Sequence, residues 1–170
     1  KQKTLSFLRC SRLNSHVGQR DQPQHMEAPQ VFISYSGHDA FEASLLQYAL
    51  ETLLDGDGVV AWTFQRDQVR SEKEIAQSLK ERVHESVATV FLVSPATLDG
   101  GATQWMELAY CDAFDVPTFV LLHHLDYQEL KRRERGVPPL LLSSQCNSAL
   151  DWKKIVEDIR NIIRKRNRND

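Results

Sequence analysis

At 170 residues and 41% hydrophobic content, the chain has apolar side chains for one ordinary core and little room for a second domain. A formal charge of -2 gives no global attraction to nucleic acid or acidic lipid, and the longest apolar runs are strand-sized, far short of the roughly 20 residues that cross a bilayer. Three scattered cysteines (Cys10, Cys111, Cys146) make neither a disulfide framework nor a CxxC metal knuckle, which fits a reducing, cytoplasmic compartment.

Residues 1–30 are rich in Lys, Arg, Ser, Gln and His, with no acid before Asp21, and read as a flexible arm or linker. From Val31, strand and helix signals alternate. Val31 to Ser34 is a short apolar strand bounded by Tyr35, Ser36 and Gly37. Asp39 and Glu42 have the spacing of a capping box, and Phe41, Leu45, Tyr48, Ala49 and Leu53 then recur at helical spacing, the pattern of a core-facing stripe. Asp55-Gly56-Asp57-Gly58 ends that helix, Val59 to Thr63 makes a second strand, and a polar loop spans 65–70. Ser71 and Glu74 repeat the capping-box pattern before a helix whose Ile75, Leu79, Val83 and Val87 recur every four residues. Val90 to Val93 is a third strand, followed by a turn at Ser94-Pro95, a Gly100-Gly101 hinge and a helix carrying Trp105 and Glu107. Asp115-Val116-Pro117 breaks it, and Thr118 to Leu122 is a fourth strand. A charged helical segment lies within 123–135, Leu140 to Leu142 reads as a short fifth strand, and Ser148 caps a last helix with Trp152, Ile155, Val156, Ile159 and Ile163 on one stripe. Its basic end complements the helix dipole.

Short apolar strands alternating with helices require parallel pairing through right-handed crossovers. The expected fold is α/β: a single doubly wound, flavodoxin-like five-stranded parallel sheet flanked by helices, in the order 2-1-3-4-5. In that order ligands bind beyond the carboxyl ends of strands 1 and 3, where the connections leave toward opposite faces. Ser34, Tyr35 and Ser36 line this crevice on one side, Ser94 and the path to Glu107 on the other. Other α/β chemistries lack their residues. No GxGxxG follows the first strand, no GxxxxGK[ST] occurs, and serines stand where a phospho-accepting receiver needs acids. Ser34, Ser36, His38 and Asp39 are too close in sequence to align as a catalytic triad. His123-His124 have no nearby Cys or regularly spaced carboxylate, so no metal site is read.

Three segments carry a resemblance: FISYSGHDA at the first strand, AWTFQRDQV around the second, and SPATL followed by QWMEL after the third. In this order and spacing they resemble the segments by which Toll/interleukin-1 receptor (TIR) domains are recognised, over about Val31 to Arg166. The resemblance implies an arm at 1–30, a TIR-like domain at 31–166 and a basic tail at 167–170, with the flavodoxin-like fold. It also implies one of two roles. Some members are adaptor modules that self-associate. Others, many of them bacterial, hydrolyse NAD+ or cyclise its ADP-ribose part, using a Glu at the position that Glu107 matches. The bacterial-type reading makes this chain an NAD+ nucleosidase of signalling or anti-phage defence, activated by self-association with other TIR domains. NAD+ is then substrate, no cofactor is required, and neither nucleic acid nor membrane is a partner.

A single carboxylate suits that chemistry. Nicotinamide leaves NAD+ as a neutral molecule and needs no protonation, so the acid of the usual glycosidase pair is dispensable. What remains is an oxocarbenium ion that a carboxylate can stabilise. Tyr35, Trp62, Phe64 and Trp105 offer flat surfaces for nicotinamide or adenine. Arg66 or Arg70 would neutralise the pyrophosphate. Plainer roles stand beside these: Glu107 as a dipole-favoured residue early in a helix, Trp62 and Trp105 as core, Arg66 and Asp67 as a solvated pair. A transferase with Glu107 as covalent nucleophile is a further alternative.

Overall fold

The computed structural model describes residues 28–63, 72–133 and 136–169. Expectations for Phe64, Arg66, Arg70 and Ser71, and for most of the amino-terminal arm, lie outside those residues. The strands are β1 (Gln30–Ser34), β2 (Val60–Thr63), β3 (Ser86–Val93), β4 (Thr118–Leu122) and β5 (Cys146–Ser148). All pair in parallel, in the order β2-β1-β3-β4-β5. The helices are α1 (Ala40–Leu53), α2 (Glu72–Glu85), α3 (Pro95–Gly100), α4 (Ala102–Ala113), α5 (Tyr127–Arg132), α6 (Pro139–Ser143) and α7 (Trp152–Asn169). None of the described helices is long and apolar enough to cross a membrane.

Two apolar layers sandwich the sheet. One joins Val31, Ile33 and Leu92 to Leu46 and Leu50 of α1 and to Ile155, Ile159 and Ile163 of α7. The other joins Phe32, Trp62 and Phe91 to Leu79 and Val83 of α2 and to Leu108 and Cys111 of α4. Every residue of β3 is buried, because a central parallel strand is covered on both faces; its last four residues, Val90 to Val93, are all apolar, while Ser86 and Thr89 are buried polar residues nearer its start.

Four local expectations are corrected. On α1 the buried face is Ala43, Leu46 and Leu50, whereas Phe41 and Tyr48 are 70% exposed and Leu45 is 53% exposed. The helix is apolar on two sides, and the sheet takes the side that presents a small residue, Ala43, to the strands. Val87 belongs to β3, which starts at Ser86, so the α2 stripe ends a turn earlier than its spacing implies. Leu140 to Leu142 are helical, with Pro139 supplying a preset helical φ at the first position of α6, and Leu141 is buried in the second layer. The fifth strand is instead Cys146–Ser148, an edge strand paired on one side only, which has no need of an apolar run. The capping box at Asp39 and Glu42 does not form: Asp39 makes no capping bond, and Ser36 instead accepts from the His38 N–H to start a 3-10 turn at Gly37–Asp39.

Candidate active site

The chain leaves β1 toward α1 on one face and leaves β3 toward α3 and α4 on the other, the divergence beside which open α/β sheets bind ligands. Ser94 follows β3 and caps α3 reciprocally with Thr97, where the sequence alone reads as a simple turn. Gly101 lets α4 start directly behind α3. A Cβ at Gly101 would lie 2.3 Å from the Thr97 carbonyl oxygen, whereas one at Gly100 meets nothing within 4 Å. The α4 helix then lays Gln104, Glu107, Leu108 and Cys111 on the sheet, one face at i, i+3, i+4 and i+7.

Glu107 is 6% exposed, and its Oε2 accepts a short hydrogen bond from the hydroxyl of Ser34, the last residue of β1. The carboxyl group thus turns toward the strand end and away from bulk water. Burial disfavours its charged form and pushes its pKa up to about 7, against the opposing effect of the Ser34 hydrogen bond. Cys111, one turn further on, is buried and donates to Thr89 Oγ1 at 3.3 Å; burial raises its thiol pKa and keeps it inert.

Of the other residues expected at the crevice, Ser94 is 1% exposed and its hydroxyl donates to Asp39 Oδ2 at 2.6 Å, tying the two strand exits together. Ser36 lies on the turn after β1 with its hydroxyl accepting from the His38 N–H. Trp105 is half-buried against the layer that holds Leu108. Two aromatic expectations are corrected. Tyr35 packs against the opposite apolar layer, because side chains alternate along the chain and the residue after Ser34 faces the other way. Trp62 is 5% exposed, stacked on Phe32 with ring centroids 5.2 Å apart, and its ring carries the Arg82 guanidinium at 5.7 Å. It is core and offers no free face for a base.

Sequence reading missed Gln104. The β1–β3 ladder ends at the Ser34–Phe91 pair, and the Leu92 carbonyl beyond it takes side-chain donors, Thr97 Oγ1 at 3.5 Å among them. Gln104 Nε2 supplies another at 3.3 Å, reaching into the crevice one turn before Glu107. Its Oε1 is buried with no hydrogen-bond partner among the described residues. The available signal was a polar residue three positions before Glu107 on a partly apolar face.

The profile of the TIR domain family matches residues 31–160. Among solved structures, the metazoan TIR-STING receptor from C. gigas in complex with 2',3'-cGAMP superposes with a TM-score of 0.55 at 20% identity, over 78% of this chain and 38% of that one. A second structure of the C. gigas TIR-STING receptor gives 0.54 at 19% identity, over 78% and 39%. A 2-desoxiribosyltransferase from Leishmania mexicana gives 0.46 at 14% identity, over 55% and 64%. This chain therefore spans less than two thirds of each of these structures. No curated protein matches in sequence. The two receptor structures share the fold seen here, and with the profile covering most of the chain, the protein belongs to the TIR domain family.

Proposed function

We propose that this TIR domain cleaves NAD+ at the nicotinamide–ribosyl bond, releasing nicotinamide and ADP-ribose or a cyclic product. The observation that carries the reading is the buried Glu107 carboxyl, held by Ser34 at the crevice between β1 and β3. As the C–N bond breaks, its electron pair leaves with nicotinamide and positive charge develops on the ribose. A preoriented carboxylate in a site of low polarity stabilises that charge far better than water does. Ser34 occupies Oε2, which leaves Oε1 for a ribose hydroxyl. Water, or a nitrogen of the adenine ring, then adds to the sugar to give the linear or the cyclic product. Gln104 Oε1 is a second acceptor one turn away.

The test is chromatography of the products after concentrated protein is incubated with NAD+. Nicotinamide should appear with wild type and not with Glu107→Gln, which keeps the shape and loses the charge. Turnover by the variant at the wild-type rate removes Glu107 from the mechanism.

A specific feature favours a second reading, a non-enzymatic module that works by association with other TIR domains. Phe41, Leu45 and Tyr48 stand exposed on one face of α1, more apolar surface than a lone helix exterior needs. Self-association through this face is compatible with both readings. No nicotinamide release from concentrated wild-type protein leaves the second one standing.

A further inference from the structure

On the sheet face opposite Glu107, the carboxyl edge gathers another set of reactive side chains. Asp39 comes from the turn after β1, Glu42 from the first turn of α1 and His123 from the end of β4, and one donor atom of each lies within 4.8 Å of the other two. Linear spacing hides this set, because the histidine stands more than 80 residues from the carboxylates. The expectation of no metal site rested on that spacing.

The set is held as ligands are. The His123 backbone N–H donates to the Val93 carbonyl at 2.8 Å, which fixes the main chain of this residue to the end of β3. Asp39 is 7% exposed, and the Ser94 hydroxyl on its Oδ2 is the kind of outer hydrogen bond that orients a ligating carboxylate while leaving its other oxygen available. Glu42 Oε1 is 3.6 Å from His123 Nε2, near the separation of about 3–3.6 Å between neighbouring donors around an ion bound at roughly 2.0–2.2 Å. Asp39, placed to cap α1, spends no bond on capping. Two carboxylates this close repel each other unless positive charge stands between them. Glu42 and His123 also line a groove of about 370 Å³ whose other walls include Leu45, Leu46, Leu121 and Trp152. An ion held by them would keep an open side toward that groove, with room for water or a small anion.

We propose that Asp39, Glu42 and His123 bind a divalent transition-metal ion. One imidazole and two carboxylates suit Zn2+ or Mn2+, and fall short of the oxygen-rich shell that Ca2+ takes. The site is separate from the NAD+ reading and does not depend on it.

The experiment titrates the chelator-stripped full chain with ZnCl2 and MnCl2 by calorimetry and thermal shift, with MgCl2 as the hard-cation control. One saturable site that raises Tm is expected for wild type and for Glu107→Gln. His123→Ala and Glu42→Gln should each weaken it roughly tenfold or more. Both residues are only partly buried, and circular dichroism confirms that the variants fold. Co2+ in place of Zn2+ should give visible d–d absorption in wild type that His123→Ala lacks. Binding that survives in both variants, or no saturable binding below the millimolar range, overturns the proposal.

Discussion

Glu107 carries a cost that its site imposes. In the unfolded chain its pKa is near the ordinary 4.5, and in the fold it is raised to about 7. Below about 4.5 both states are protonated and the penalty is absent. As pH rises toward about 7 the unfolded chain gives up its proton while the folded one retains it, so stability falls; the displacement is worth roughly 3 kcal/mol once both are ionised. Glu107→Gln should therefore unfold at higher urea concentration than wild type at pH 8, with the two curves converging near pH 4.5. The activity proposed here needs the ionised form, so kcat/KM for NAD+ should rise about tenfold per pH unit below about 7 and level off above it. A profile flat from pH 5.5 to 8 would separate Glu107 from the reaction. Glu107 was legible because a family pattern surrounds it and its helix face is partly apolar. Gln104 was not, since its significance comes from the Leu92 carbonyl across the crevice, a partner that no local spacing announces. Tyr35 failed for a simpler reason: one residue beyond Ser34, alternation carries it to the other face.

Within the elements, α1 is the clearest case of a pattern with two solutions. Its apolar residues fall on two stripes at helical spacing, and only packing against the sheet decides between them. Leu50 is fully buried, so Leu50→Ala should cost about 2–5 kcal/mol in denaturant unfolding. Phe41 is 70% exposed, so Phe41→Gln should leave stability within about 0.5 kcal/mol while loosening self-association in sedimentation velocity at high concentration. Equal losses of stability from the two changes would restore the stripe that the spacing implied. The segment at 139–143 shows the same ambiguity at shorter range. Three leucines fit a buried strand or a helical turn equally well, and the prolines before them decide for the helix.

At the scale of the molecule, the strand order was the most legible property. Parallel strands need crossovers, crossovers have one hand, and four of the five strands announced themselves as apolar runs. The fifth did not, since Cys146–Ser148 sits at the edge and carries polar residues. The same topology keeps the two candidate sites apart. Glu107 and Gln104 lie on the α4 side of the sheet, while Glu42 and His123 line a groove on the α1 and α7 side. Ser34 serves the first and Ser94 the second, one at its strand's end and the other just past it.

The twin glycines before α4 are unequal partners in all this. At the first, larger residues fit the available space. At the second, even a methyl group would push against the Thr97 backbone and swing the helix that aims Glu107. Mutational drift through this hinge thus has one open door and one shut: the bearing of the acid is inherited from a position that tolerates nothing larger than hydrogen.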